Sequence, residues 1–339
     1  MKALVTGATG FVGFHVAKTL QEKGVEVRAL VRAGSDTSDL ARLDTELAAG
    51  DVRDYESVRR ALKGCRQLYH VAADYRLWVP DPGSMYETNV QGTVNVMKAA
   101  LEAGTEKIVY TSSAGTLVPK RSRGAMCRED TAVDLSDMVG HYKRSKFLAE
   151  QQVYAFVSKG LPVVVVNPTT PVGPMDKKPT PTGKVIVDFL SGRMPAFIDT
   201  GLNFVDVDDV GLGHWLAAQY GKPGERYILG NRNMSLGEFL GILGRISNRR
   251  PPRVRLPYVP VLIAAYIDEA VATWIRHAPP RVPLTGVKMA KSHMYFDCSK
   301  AVQNLGVPQT SVETAMESAI DWYFKRGYVR NRSSGGSDA

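Results

Sequence analysis

An α/β fold, with a doubly wound parallel sheet and a smaller, discontinuous C-terminal substrate domain, is what this 339-residue sequence predicts. Two observations carry the prediction. Short apolar, β-prone runs alternate with helical patterns through the first half, which suits a parallel sheet covered by helices on both faces. Right-handed crossovers then restrict the topology to a doubly wound sheet. The chain also opens with a strand, a glycine loop and a helix in direct succession. Lys2-Ala3-Leu4-Val5-Thr6 is the strand, Gly7-Ala8-Thr9-Gly10-Phe11-Val12-Gly13 the loop, and Phe14 to Glu22 the helical pattern, stopped by Gly24. Three glycines at this spacing allow a tight turn, close backbone approach to a pyrophosphate, and close helix–sheet packing. The helix N-terminus directs free N–H groups and partial positive charge at the phosphates. Gly7, Thr9, Gly10, Phe11, Val12 and Gly13 are therefore expected to hold a dinucleotide.

The remaining elements follow in order. Strands are expected at 2–6, 25–31, 46–49, 66–71, 106–111 and 162–167, and helices near 11–22, 54–63, 84–103 and 140–159. After Pro168 the texture changes. Pro171, Pro174, Pro179, Pro181 and Gly183 predict a long loop, a candidate wall of a substrate site. Lys184 to Leu190 reads as helix, and Phe204–Val207 and Arg226–Leu229 as strands returning to the sheet. Helical stretches at Ser235–Ile246, Val259–Ile275 and Val312–Arg326 are joined by proline-rich segments. The division expected is 1–168 plus about 200–230 for the dinucleotide-binding domain, and 169–199 plus 231–330 for the substrate domain. Residues 331–339, rich in Ser and Gly, are expected to be a disordered tail.

Composition fits an ordinary globular enzyme, with 44% hydrophobic and 23% charged residues. No run of about 18 or more apolar residues is free of charge, so no membrane-spanning helix is expected. With the first strand at the N-terminus, no signal peptide is expected. The three cysteines, Cys65, Cys127 and Cys298, are scattered without metal-ligand spacing, and a reducing cytoplasm fits them. No metal is expected. The net charge of +9 is spread over short clusters such as Lys120-Arg121-Ser122-Arg123 and Arg249-Arg250. It reads as a solvated basic surface that also attracts an anionic cofactor, with no nucleic-acid motif beside it.

Tyr142 and Lys146 carry the chemistry. Positions i and i+4 share one face of a helix, so a phenol and an ammonium can reach the same point. A nearby cation favours the phenolate, lowering a pKa that lies near ~10 in free tyrosine, which makes Tyr142 a candidate proton donor and acceptor. For the cofactor, the second strand ends in Arg32 where an NAD-binding chain places an acid, and Arg28 lies on the same strand face. A guanidinium matches a 2′-phosphate, so NADP(H) is favoured, with NAD(H) the alternative.

These motifs resemble the extended short-chain dehydrogenase/reductases. Gly7 to Gly13 is followed by Gly50-Asp51-Val52-Arg53-Asp54, His70-Val71-Ala72-Ala73, Asn89-Val90-Gln91-Gly92-Thr93, Thr111-Ser112-Ser113-Ala114 and the Tyr142–Lys146 pair. The match extends through Asn167-Pro168-Thr169 and Val205 to Val210, and so covers most of residues 1–330. Within the family the chain is most similar to dihydroflavonol 4-reductase-like proteins. More narrowly it resembles the bacterial hopanoid-associated sugar epimerases, through Ala72 to Trp78, His141 to Phe147 and Pro179 to Gly183.

The resemblance implies an NAD(P)-binding Rossmann fold and a catalytic set of Ser113, Tyr142, Lys146 and Asn89. It further implies that Asp51 and Val52 lie by the adenine, and Ala72 and Ala73 along the cofactor, with Pro168 completing its site. Ser113, rather than Ser112, would orient the reacting oxygen. Tyr142 would exchange its proton, and Lys146 would hold the nicotinamide ribose. Tyr75, Trp78 and Thr169, with Ser113, are the candidate substrate contacts. His141 reads as a surface histidine and His70 as a satisfied core residue. Nucleotide-sugar members commonly carry an arginine near Asp199 to Phe204, and this chain does not.

The reading is thus a reductase of a carbonyl on a small or sugar-like substrate, which a hydrophobic, lipid-linked body could carry. An epimerase or dehydratase working through a keto intermediate is the alternative, and a non-catalytic NADP-binding sensor the minor one. The apolar segment Leu256 to Trp274 is read as a buried domain helix, with an entry for an apolar body or a membrane contact as alternatives. A homodimer would be usual for similar proteins.

Overall fold

The structure, a computed structural model, describes residues 1–120 and 125–329, so the tail expected at 331–339 and the arginines at 121 and 123 lie outside the described residues. In chain order the elements begin with β1 (Lys2–Thr6), α1 (Phe11–Glu22), β2 (Glu26–Val31), β3 (Thr45–Ala49), α2 (Tyr55–Leu62) and β4 (Gln67–His70). Then come α3 (Gly83–Tyr86), α4 (Gly92–Glu102), β5 (Lys107–Thr111), α5 (Gly140–Val157), β6 (Val163–Pro168), β7 (Thr170–Val172) and α6 (Pro181–Leu190). The last part holds β8 (Ala196–Ile198), β9 (Gly201–Asp206), α7 (Val207–Tyr220), β10 (Arg226–Leu229), β11 (Arg232–Ser235) and α8 (Leu236–Ser247). It closes with β12 (Val254–Leu256), α9 (Tyr258–Val271), α10 (Leu284–Ala290), α11 (Ser299–Leu305) and α12 (Val312–Lys325).

Seven strands form one parallel sheet in the order β3-β2-β1-β4-β5-β6-β10. Alternation along each strand sends successive side chains to opposite faces. Val5, Val109 and Val166 pack under α1 and α7, whereas Leu4, Ile108 and Val165 pack under α2, α4 and α5. Burial on both faces explains why β6 can read Val163-Val164-Val165-Val166 without a polar residue. The strand order reverses between β1 and β4, and the loops after those two strands flank the crevice that such a reversal opens.

Four local expectations are revised. The helix expected near 84–103 is divided into α3, a π-helical turn at Glu87–Gln91, and α4. The loop after Pro168 is shorter than its prolines predict. Pro171 lies in β7, at the edge of a three-stranded sheet where a missing N–H costs least, and Pro181 starts α6 behind the N-cap Thr180. Phe204 does not return to the main sheet. Its strand β9 runs antiparallel to β11 and parallel to β7 in that second sheet, and only β10 joins the first. A third apolar cluster, with Phe189, Phe204, Phe239, Leu243, Met316 and Tyr323, binds α6, α8 and α12 over the second sheet. Finally, α9 is exposed rather than buried: only Ala265 along its length is fully covered, and Ile267 is 62% exposed.

Candidate active site

The glycine loop forms a cradle that side chains would fill. Gly7 holds φ +77°, and a Cβ there would lie 2.7 Å from the Ala72 backbone nitrogen across the crevice. A Cβ on Gly13 would lie 2.0 Å from the Gly7 carbonyl oxygen. Gly10 caps α1 in an extended conformation with no side-chain hydrogen bond, and no acid occupies the first helical turn. Its N–H groups therefore stay available to an anion. Thr9 and Gly10 are exposed at the mouth, with Phe11 and Val12 partly buried behind them. The Ala72 N–H donates to Thr6 Oγ1 at 3.2 Å, fixing the Ala72–Ala73 loop beside the cradle. These features fit a dinucleotide pyrophosphate.

Arg32, just beyond β2, is exposed; its carbonyl accepts the Ser35 N–H at 3.1 Å, and its guanidinium makes no hydrogen bond or ion pair to any described residue. Arg53 holds the Asp51 carboxyl below its usual range; burial raises that of Asp74, but Arg76 brings it below its usual range, and Arg32 adds a smaller lowering effect on each. Asp51 binds Arg53 at 2.8 Å, and Asp74 binds Arg76 at 2.5 Å. Arg28 is not part of this site. Its guanidinium binds Glu46 at 2.8 Å and the Ala61 and Lys63 carbonyls at the C-terminal end of α2. Val52 is buried against the position of Gly92, where a Cβ would lie 2.8 Å away.

Tyr142 and Ser113 meet across the carboxyl end of β5. Ser113 sits beside the Tyr142 phenol and opposes the rise in its pKa, whereas Ser112 donates to the buried carboxylate of Glu150. The phenol's pKa is nevertheless raised, because burial outweighs that interaction. This corrects the expectation of a phenol lowered by Lys146. The Lys146 ammonium, in the core, donates to the Thr111 carbonyl at 2.7 Å and lies 4.5 Å above the Tyr110 ring. Burial brings its own pKa down to about 7, against the raising effect of Glu150.

The other expected residues divide. Tyr75 is 38% exposed and close enough to Tyr142 for the two hydroxyls to influence each other. Trp78 is partly buried in the same loop. Asn89, carried inward by the π-helical turn, is fully engaged elsewhere. Its amide brackets the Asp74 backbone, accepting at 2.7 Å and donating at 2.9 Å, and donates to Ser145 at 2.9 Å. It positions the loop beside the cradle and does not reach the phenol. The Thr169 hydroxyl donates to the Leu229 carbonyl at 3.3 Å, and Pro168 pairs with Leu229 in the sheet. His70 is buried between Thr6 and Thr93, and burial, with the nearby Lys146 ammonium, holds its pKa down at about 3. His141 is exposed and contacts Tyr86.

Three residues of the site escaped sequence reading. Asn167 donates to the Ser113 carbonyl at 3.1 Å and to Glu150 at 3.3 Å, steadying the loop that presents Ser113. Glu150 lies 3.3 Å from Arg226 of β10 and joins α5 to two strands. Its i+4 spacing from Lys146 was the one available signal. Lys143 is buried, its ammonium 3.4 Å from the Met294 sulfur. Its Cε and the Ser113 hydroxyl both lie within 3.3 Å of the point where Gly115 would carry a Cβ.

Burial lowers the Lys143 pKa to about 8 from the ordinary 10.5. A folded-state value below the unfolded one adds stability that is complete above pH 10.5 and lost as pH falls through 8. Below that pH the fold must hold a desolvated cation. A Lys143→Met variant is therefore expected to be more stable than the native chain at pH 7, by on the order of 1–3 kcal/mol, and to lose that advantage near pH 10. Urea unfolding midpoints at the two pH values measure the difference. A variant less stable at both would show that the ammonium has a partner.

Similar proteins sharpen the picture. Residues 3–230 match the family described as the NAD dependent epimerase/dehydratase family. A putative dihydroflavonol 4-reductase of Synechocystis is 43% identical over 97% of this chain and 96% of its own. Sterol demethylase protein B of Methylococcus capsulatus is 35% identical over 97% of this chain and all of its own. The crystal structure of gox2253 superposes with a TM-score of 0.86 at 47% identity, covering 97% of this chain and 99% of that one.

Proposed function

The chain belongs to the NAD dependent epimerase/dehydratase family, as an oxidoreductase of the extended short-chain dehydrogenase/reductase type, and from that premise we propose that it is an NADPH-dependent reductase of a carbonyl on a small or sugar-like substrate. The observation that carries this reading is the Arg32 guanidinium just beyond β2, unpaired among the described residues, where a 2′-phosphate would find a planar donor fork. The neighbouring carboxylates of Asp51 and Asp74 are each neutralised by their own arginine and leave Arg32 free.

A bound nicotinamide dinucleotide supplies the hydride. Tyr142 donates a proton to the substrate oxygen, a role suited to a phenol that burial keeps protonated at neutral pH. Ser113 hydrogen-bonds the same oxygen, and Asn167 holds the Ser113 backbone in place. Lys146 would bind the ribose hydroxyls. Asn89 acts by positioning the Asp74 loop, and Tyr75 packs against the substrate.

Epimerisation or dehydration through a keto intermediate is the second reading, favoured by the family's description. The stretch Asp199 to Phe204, which holds no arginine, weighs against a nucleotide-sugar substrate; its buried Asn203 amide donates to the Asn231 carbonyl at 3.2 Å and to the Asn233 side chain at 2.8 Å. Denaturing the freshly purified protein separates the two. The reductase is expected to release no stoichiometric NAD and to oxidise NADPH with members of a carbonyl panel. In an Arg32→Ser variant, the KM for NADPH is expected to rise at least about tenfold, equivalent to ~1.4 kcal/mol, with that for NADH little changed. Stoichiometric retained NAD with no NADPH oxidation overturns the reading.

A further inference from the structure

The exposed apolar face of α9 takes no part in the proposed reaction. The helix continues through a π-helical turn, so that Tyr258–Arg276 forms one rod of 19 residues. Its outward positions include Val259 at 61% exposure, Ile263 at 56%, Tyr266 at 50%, Ile267 at 62%, Trp274 at 80% and Ile275 at 72%. No exposed position between Tyr258 and Ile275 is charged. Both acids of the rod are turned to the protein side. Asp268 binds Arg276 at 2.6 Å and the Val282 N–H at 2.8 Å, and Glu269 accepts the Leu284 N–H at 3.2 Å. Burying a charge-free apolar face this long stabilises any partner that covers it, and soluble chains rarely leave one open.

We propose that this face docks on the surface of an anionic lipid bilayer. Charge decides the occupant. Arg253 and Arg255 precede the rod, and Arg281, Lys288 and Lys291 follow it, all exposed. Lys288 stands 5.0 Å from the Tyr266 ring, so a cation flanks the apolar stripe itself. An apolar stripe with tryptophan and tyrosine beside a basic rim matches the boundary between acyl chains and anionic headgroups. A two-fold pairing with a second copy would set each basic rim against its own equivalent, a repulsive arrangement. The rod lies on the bilayer rather than crossing it. Ala265 within the rod is buried against Leu284 and Val287 of α10, which holds the helix along the protein surface.

The test is vesicle co-sedimentation of the full chain with phosphatidylcholine alone and with added phosphatidylglycerol, beside an Ile267→Glu/Trp274→Glu variant. The native chain is expected to bind the anionic vesicles at least about tenfold more tightly than the neutral ones. Binding is expected to weaken with added salt. The variant, with an unchanged Tm because both side chains already face solvent, is expected to lose binding. Failure of the native chain to bind anionic vesicles overturns the proposal. Equal binding to both lipids, or equal binding by the variant, does the same. A lipid-free dimer that the variant dissolves assigns the face to a second copy and also overturns it. Sedimentation reads no turnover, so the outcome is independent of the proposed reaction.

Discussion

A Tyr142→Phe variant is expected to lose two to four powers of ten in kcat while keeping its fold and its affinity for NADPH. Phenylalanine retains the ring that packs at the start of α5 and removes only the oxygen that faces Ser113. The chemical consequence is specific. Hydride delivery to a carbonyl carbon would leave an alkoxide for Tyr142 to protonate, and neither His70 nor His141 is placed to do so in its stead. His141 is directed at Tyr86, and His70 is enclosed by two threonines. The Lys146 ammonium lies against the Thr111 carbonyl and the Tyr110 ring. Steady-state turnover, dinucleotide binding by fluorescence and a thermal melt distinguish a lost proton donor from a damaged fold. Undiminished turnover of the true substrate would remove Tyr142 from the reaction.

The second large effect is expected at Gly13. Alanine there would place a Cβ 2.0 Å from the Gly7 carbonyl oxygen and 2.6 Å from its carbon, a collision with backbone that no rotamer relieves. Either α1 moves away from the loop or Gly7 leaves the φ of +77° that its turn requires. Both routes displace the N–H groups that await the pyrophosphate. The expected result is a stability loss of about 1–3 kcal/mol, typical of forced overpacking, with dinucleotide affinity reduced at least tenfold. Gly241→Ala provides the control. It lies within α8 with nothing within 4 Å of its Cβ position, and a glycine-to-alanine change inside a helix is expected to stabilise by ~0.5–1 kcal/mol. Thermal melts and dinucleotide titration of the two variants check the contrast. Equal affinity in the two variants would mean that the cradle tolerates a side chain.

What sequence reading reached and missed has a physical pattern. The seven sheet strands were legible because each is a short apolar run bounded by glycine or polar residues, and the GATGFVG loop because its spacing fixes both backbone geometry and ligand. The Tyr142–Lys146 pair was visible for the same reason, since helical spacing converts directly into proximity. Environment was not visible. The raised phenol and the lysine near pH 7 depend on burial that only the assembled fold supplies. Asn89 was correctly placed on a helix, but the π-helical turn redirects its amide to Asp74 and Ser145. Thr169 adjoins the site in sequence, yet its hydroxyl is drawn into pairing with β10. The apolar texture of α9 suggested a buried helix. Periodicity cannot distinguish an element covered by its own protein from one left bare.

The origin of β10 has a consequence for how the molecule is made. The first 168 residues contain six strands of the main sheet, but the seventh arrives only after an excursion through β7, α6, β8, β9 and α7. Until Arg226–Leu229 emerge from the ribosome, β6 presents a bare valine-rich edge, the kind of surface that pairs with stray chains. Glu150, sealed inside α5, also waits for Arg226 as its counter-charge. Vectorial synthesis therefore leaves the nucleotide-binding half sticky and electrostatically incomplete through the intervening stretch, so the acid–base centre sets only when that late strand closes the sheet.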